Sequence, residues 1–531
     1  MKKNLYVTTG ITLLSTLFFN ACRSTDADNS ITKGVASVNI NLLGTNFSNS
    51  ALAHNASLNR SANSVAEIQT HSVLVNPNTV IIAELAPSLD SISTLTKVSD
   101  IKPMASVSGN LLTSGMKFRV IAYRQSNGNY HTHQDYTVGQ PAIPMMLDNG
   151  AAYNIVVYSY GTTSLPAISL GEQDNISSAF VNYDDNSRDF MYQKISYTPV
   201  NDNNSLDITL RHKVAQITTI VKNSTSQWPG NIYSISDAVI SPHYSNGIFS
   251  LDTGNMSGRS LSTNAAITFP KPNGTSVTAA PVFVNADTNG KLTGTFFAKI
   301  ANASGPIVDV LAYNAFKITP ENKSNLTISL RTCLAKLTAN SWRDLMCHNL
   351  GADQSADPFT PSAAIHGAKY QWGAQTDETG RYYSQSDDQN HSEAILGWNT
   401  TGKPDGSWSE SNKTANDPCP KGYHVPTQGE WEAIIAHNAI TYIGSNWTSS
   451  STNYSNGIKI GNDLFLPIAG FRRYNNGQLG GRGYGGEYWS SGTSGANGRS
   501  LLITNGNSVA NTAGPKTGGL SIRCISDNTN I

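Results

Sequence analysis

The stretch "DPCPKGYHVPTQGEWEAII", residues 417 to 435, puts Cys419, His424 and Glu430 close together. A thiol, an imidazole and a carboxylate at that density could hold a metal ion, or pair a nucleophile with its base. Zinc sites are built on C-x-x-C or H-x-x-x-H spacing, and neither occurs in this chain, so no metal is expected. A nucleophilic thiolate needs a nearby cation or helix terminus to lower its pKa. Cys419 stands just before a predicted helix, so a reactive thiol and a disulfide both remain open for it. Glu430 has a local task instead. Thr427-Gln428-Gly429-Glu430 reads as a capping box, with the Thr hydroxyl accepting from the Glu430 N–H and the carboxylate accepting from the Thr427 N–H. Trp431, Ile434 and Ile435 follow on one helical face and turn it inward. Thr427 and Glu430 are therefore expected to be a helix cap, and the motif to be scaffold.

Two other groups have spacing suited to chemistry. His131, His133 and Asp135 in "HTHQD" alternate on one face of a strand; as a metal site they compete with exposed hairpin residues. The acidic run "SDDQNHSE", 386 to 393, could hold calcium in a loop. Neither pattern is specific, and no catalytic residue, metal or cofactor is expected. For recognition, "FRRYNNGQLGGRGYGGEYW" is the best candidate. It offers Arg472, Arg473, Tyr474, Arg482, Tyr484 and Tyr488 on a Gly-rich backbone, and Arg and Tyr are favoured interface anchors. The alternative is that these side chains fill a loop-rich core.

The elements that must position these residues are strands. Among 531 residues Gly, Asn, Ser and Thr are abundant and apolar runs are short. That composition fits a mainly β chain with many turns. Lys+Arg and Asp+Glu balance at 36 each, leaving no basic surplus to hold a polyanion, so nucleic acid is not an expected partner. "LDITLRHKVAQI" from Leu206 and "LTISLRTCLAKL" from Leu326 repeat one alternating pattern, and each is read as the closing strand of a β-domain. Four of the five Cys and seven of the eight Trp follow residue 330, which marks a further boundary. Cys333, Cys347, Cys419 and Cys524 allow three pairings. Linking Cys419 to Cys524 would tie the helix start to the last strand, and linking Cys333 to Cys347 would staple the region's entrance.

At the N-terminus, Lys2 and Lys3 precede the apolar "VTTGITLLSTLFF", and "FNAC" places Ala21 before Cys22. This resembles a bacterial lipoprotein signal, 1–21, cleaved before a lipidated (palmitate-bearing) Cys22, with 22–30 as linker. "GMKFRVIAYRQSNGNY", "LDNGAAYNIVVYSYGT" and "LRHKVAQITTIVKN" resemble the fimbrillin-like family of surface lipoproteins. The resemblance implies two consecutive transthyretin-like β-sandwiches, 31–205 and 206–331, as in type V pilus subunits. It also implies strand addition between subunits, with Arg60 as the candidate processing site. "MCHNLGAD", "KYQWGAQTD", "DPCPKGYHVPTQGEWEAI", "EYWSSG" and "GGLSIRCI" resemble the FISUMP domain. This implies an α+β C-type-lectin-like fold, akin to the formylglycine-generating enzyme, over 332–531.

Together these resemblances imply an outer membrane lipoprotein, exposed on the cell surface or on the fimbrium. The expected role is a pilus tip or accessory adhesin with a lectin-like head, not an enzyme. The expected partners are other pilus subunits, a host glycan or protein ligand, and the membrane through the N-terminal lipid. The alternatives are a non-polymerising lipoprotein that captures glycan or protein, and an enzyme on the formylglycine-generating fold.

Overall fold

The computed structural model describes residues 34–49, 68–88, 113–184, 189–200, 204–223, 231–302 and 307–530. The expected signal peptide, Cys22, its linker and Arg60 lie outside the described residues. The chain is mainly β, with 48% strand and 4% helix. Among the described residues no helix is long and apolar enough to cross a membrane.

A seven-stranded sheet comes first. The strand Asn204–His212 lies in its interior, with Leu206, Ile208 and Leu210 buried and alternate residues turned outward. This is the period-2 pattern of a strand with one covered face. The strand Val35–Asn46 pairs parallel with it and antiparallel with Met145–Asp148 on its other side. Both faces of the sheet are apolar: Val38, Ile40 and Val120 pack on one, while Ile121, Tyr158 and Phe190 pack on the other against Val181 and Phe249.

The second unit is a sandwich of two sheets around one apolar cluster. One sheet is built on Ala215–Asn223 and Lys323–Thr332, which pair parallel. The other holds Ile232–Tyr244, Gly294–Asn302 and Ile307–Phe316. Ile217, Leu326 and Ile328 meet Ile240, Phe296 and Val310 between them. The hairpin of Gln69–Asn76 and Thr79–Pro87 falls within the span expected for the first sandwich. It pairs instead with the second unit, where Thr79–Pro87 lies antiparallel to Lys323–Thr332. Its turn reaches further still: the N–H groups of Cys333 and Cys347 donate to the carbonyls of Asn78 and Pro77.

From Cys333 onward many strands are short, apart from one three-stranded sheet, and the core includes several tryptophans. Trp372, Trp408, Trp431 and Trp489 are buried. Two disulfides brace this head, Cys333–Cys347 and Cys419–Cys524. The second closes a separation of 105 residues, which in the chain-entropy model stabilises by about 4–5 kcal/mol. The strand Ile525–Asn530 is held between Trp342–Leu345 and Tyr423–His424. The helix Gln428–His437 carries the full Thr427/Glu430 capping box and buries Trp431 and Ile434. A three-stranded sheet of Gly485–Ser494, Asn497–Thr504 and Asn507–Pro515 lies in the same head.

Candidate functional site

In the opening motif, Cys419, His424 and Glu430 are each committed to structure. Cys419 is bonded to Cys524, so it offers no thiolate. Glu430 accepts from the Thr427 N–H at 2.8 Å and sits 3.3 Å from Arg343. His424 lies between Glu430, at 3.1 Å from Nε2, and Asp527, at 2.7 Å from Nδ1. Burial lowers the His424 pKa, but these two carboxylates outweigh it and hold it above the usual imidazole value. Burial likewise raises Glu430, and His424, Thr427 and Arg343 together bring it below the ordinary range.

The "HTHQD" side chains also have partners. His133 Nδ1 is 2.7 Å from the Tyr130 hydroxyl, and Asp135 takes a bidentate pair from Arg119 at 2.7 and 2.8 Å. His131 faces Arg124 at 3.4 Å. Among the described residues no group of three His, Cys, Asp or Glu is arranged to hold a metal ion.

Within the acidic run, Asp388 is the centre of a buried ionic cluster. Ser384 caps the short helix Gln385–Asn390 by accepting from the Asp387 N–H, which turns Asp388 inward. Arg472 Nε donates to Asp388 Oδ1 and Arg482 Nη2 to Oδ2, both at 2.6 Å, and Lys369 Nζ stands 3.5 Å away. All four side chains are essentially solvent-free. Burial pushes the Asp388 carboxyl up, but Lys369, Arg472 and Arg482 overcome it and hold it low. Lys369 is lowered as well, but here burial is the driving cause. Burial, with the two guanidinium charges and against Asp388, brings it down to about 8.

This cluster corrects part of the expected recognition surface. Arg472 and Arg482 are not surface anchors: Asp388 draws both guanidinium groups into the interior. Tyr488 is buried too, its hydroxyl donating to the Pro467 carbonyl at 2.7 Å. Arg473, Tyr474 and Tyr484 do face outward, with Tyr474 and Tyr484 54% and 52% exposed.

Arg473 and Tyr474 stand on the wall of a cleft of about 520 Å³. That volume lies in the range of small-molecule and side-chain binding sites. Its floor is one face of the three-stranded sheet. Glu487 pairs across to Leu502, and Trp489 to Ser500, which in turn faces Thr512. Phe471 and Pro515 close the sides. The wall loop is fixed from behind: Trp398 Nε1 donates to the Tyr474 carbonyl at 3.1 Å and the Ile395 N–H to that of Asn476 at 2.8 Å. Gly477, at φ +71°, passes so close to the Trp398 ring that a Cβ would stand 2.4 Å from it. Beside this loop Leu396 projects fully into solvent.

Glu487 is the functional candidate that the sequence reading did not single out. Among the described residues no donor hydrogen-bonds its carboxylate and no cation pairs with it. Burial alone pushes its pKa up to about 7. The signal was available in "GGEYWSSG": a carboxylate two positions before a tryptophan in a strand shares that tryptophan's face.

Residues 367–465 match the model of a domain family of unknown function, DUF8237. No curated protein matches the chain in sequence. Among solved structures, a candidate cell adhesion protein from Bacteroides fragilis aligns over 55% of this chain and 92% of its own, at 12% identity and a TM-score of 0.30. A candidate cell adhesion protein from Parabacteroides distasonis aligns over 46% and 87%, at 9% identity and a TM-score of 0.29. The fimbrial anchor protein Mfa2 from Porphyromonas gingivalis aligns over 42% and 86%, at 10% identity and a TM-score of 0.25.

Proposed function

We propose that this chain is a lipid-anchored cell-surface binding protein, a pilus tip or accessory adhesin whose C-type-lectin-like head carries the ligand site. The observation that carries this reading is the cleft of about 520 Å³, open to solvent on a head fixed by two disulfides and a buried ionic cluster. A rigid frame that holds loops and a concave floor is the usual architecture of recognition. The four head cysteines are consumed in disulfides, which supports binding over thiol chemistry.

The pilus part of the proposal rests on strand placement. Val35–Asn46, upstream of Arg60, lies inside the first sheet between two partners. Removing it would open main-chain donors and acceptors on both neighbours to an incoming strand from another subunit. After the second sandwich the chain continues into the head, and Ile525–Asn530 is already paired on both sides. That segment is built into the head's own sheet and is not held out as a donor strand, which favours a tip or accessory place over a repeating stalk.

The test is a host glycan and protein array probed with the chain lacking residues 1–21. We expect a hit that Tyr474→Ala weakens and that Tyr484→Ala, exposed but outside the cleft lining, leaves unchanged. Hits indifferent to Tyr474 would overturn the cleft as the site. Consistent absence from purified pilus fibres would overturn the fimbrial place and leave a non-polymerising surface receptor.

A further inference from the structure

Glu487 gives the cleft a chemical preference. Its carboxylate is half-buried on the cleft floor between Trp489 and Leu502 and has no partner among the described residues. The hydroxyl groups on the same floor are spoken for. Ser500 and Thr512 bond each other at 2.8 Å, and the Thr512 hydroxyl also donates to the Ser500 carbonyl at 2.9 Å. The floor around Glu487 is otherwise apolar or aromatic, with Leu502, Trp489 and Phe471, while the polar side chains Arg473, Tyr474 and Asn475 belong to the wall. The floor thus presents one negative charge that has no protein partner among the described residues, set against an apolar and aromatic surface.

A polyhydroxylated ligand would need several free donors and acceptors, and the floor has few to give. An alkyl stem ending in a cation fits better. Its methylenes would lie against Leu502 and the aromatic rings, and its charge would reach Glu487 while passing aromatic faces that attract cations. We infer that the cleft receives a lysine or arginine side chain presented by a partner protein, with Glu487 as the counter-ion. This rests on the reading of the cleft as the binding site and names its ligand class.

The charged groups around Glu487 do not compete for that role. Arg472 borders the cleft but its guanidinium is held by Asp388. Arg473 stands at the exposed rim. Arg499, on the neighbouring strand, bonds Asn511 and the Thr493 carbonyl, and Lys516 pairs with Asp405. A carboxylate whose pKa burial raises to about 7 also makes such binding depend on pH in a defined direction. The ligand binds the ionised form, so affinity rises with pH through that value.

The experiment is calorimetric titration of the chain lacking residues 1–21 with acetyl-Gly-Gly-Lys-Gly-Gly-amide, its Nε-acetylated form, and glucosamine. At pH 8 we expect the lysine peptide to bind and the acetylated peptide not to. We expect Glu487→Gln, which keeps the shape, to weaken the lysine peptide by roughly tenfold or more. Lowering the pH to 6 should weaken the parent by roughly tenfold and the variant hardly at all. Equal binding of the two peptides, or indifference to Glu487→Gln, overturns the inference; so does glucosamine binding where the lysine peptide does not. If array hits depend on Tyr474 but not on Glu487, the cleft stands and its cationic preference falls. If they depend on neither, both fall.

Discussion

Two carboxylates in the head, Asp388 and Glu487, are buried to different ends. Asp388 is surrounded by Arg472, Arg482 and Lys369 within 3.5 Å, and its two oxygens are satisfied. Glu487 lies on a cleft floor and pairs with no cation among the described residues. The environment, not the residue type, separates them: one pKa is held down by three positive charges and the other is raised by burial alone. A satisfied buried charge fixes packing, because removing it strands its partners. An unsatisfied one lowers stability and is the kind of local inconsistency expected where a site awaits a ligand.

The largest effect should come from breaking the satisfied group. Asp388→Ala leaves Arg472 and Arg482 buried without an anion and is expected to cost about 3–5 kcal/mol in denaturant unfolding. A loss under about 1 kcal/mol would dissolve the contrast. Glu487→Gln should move stability the opposite way. The folded state holds the Glu487 proton more tightly than the unfolded chain does. Stability contributed by this group is therefore full below the unfolded value of 4.5 and falls as pH rises to about 7. At pH 8 the variant should gain on the order of 2 kcal/mol over the parent, with little difference at pH 4. Equal unfolding midpoints at both pH values would show that water solvates the carboxylate.

Smaller changes sharpen the boundary between frame and site. Thr427→Ala removes the cap from Gln428–His437 and should cost about 1 kcal/mol, without altering ligand capture. Arg473→Ala, at the exposed rim, should shift stability by less than about 0.5 kcal/mol. Its neighbour Arg472→Ala should resemble Asp388→Ala, so the pair measures in two adjacent positions how sharply the interior ends.

What was legible in the sequence was local. The Thr427/Glu430 spacing, the alternation of Leu206, Ile208 and Leu210, and the apolar helix face are each written within a few residues, and the structure has them. The fate of Arg472 and Arg482 was not. By type and by Gly-rich context they read as surface anchors, but Asp388 lies 84 and 94 positions away and claims both. The pairing of Thr79–Pro87 with Lys323–Thr332 was hidden for the same reason, since an alternating strand does not specify which distant edge it will join. Glu487 lay between these cases: its face was readable, its lack of a partner was not.

The hairpin Gln69–Pro87 also dictates a timetable. Asn78 Nδ2 at its turn donates to Asp344, 266 positions further along the chain. During synthesis the hairpin emerges long before the strand and the head that hold it. At rates of about 5–20 residues per second, roughly ten seconds or more separate its appearance from that of its partners. Through that interval the two strands have each other, but the edge of Thr79–Pro87 that Lys323–Thr332 will cover stays open. Docking of this hairpin therefore waits on residues made far later, and a segment among the first synthesised takes its place only after the first sheet's strands are all available.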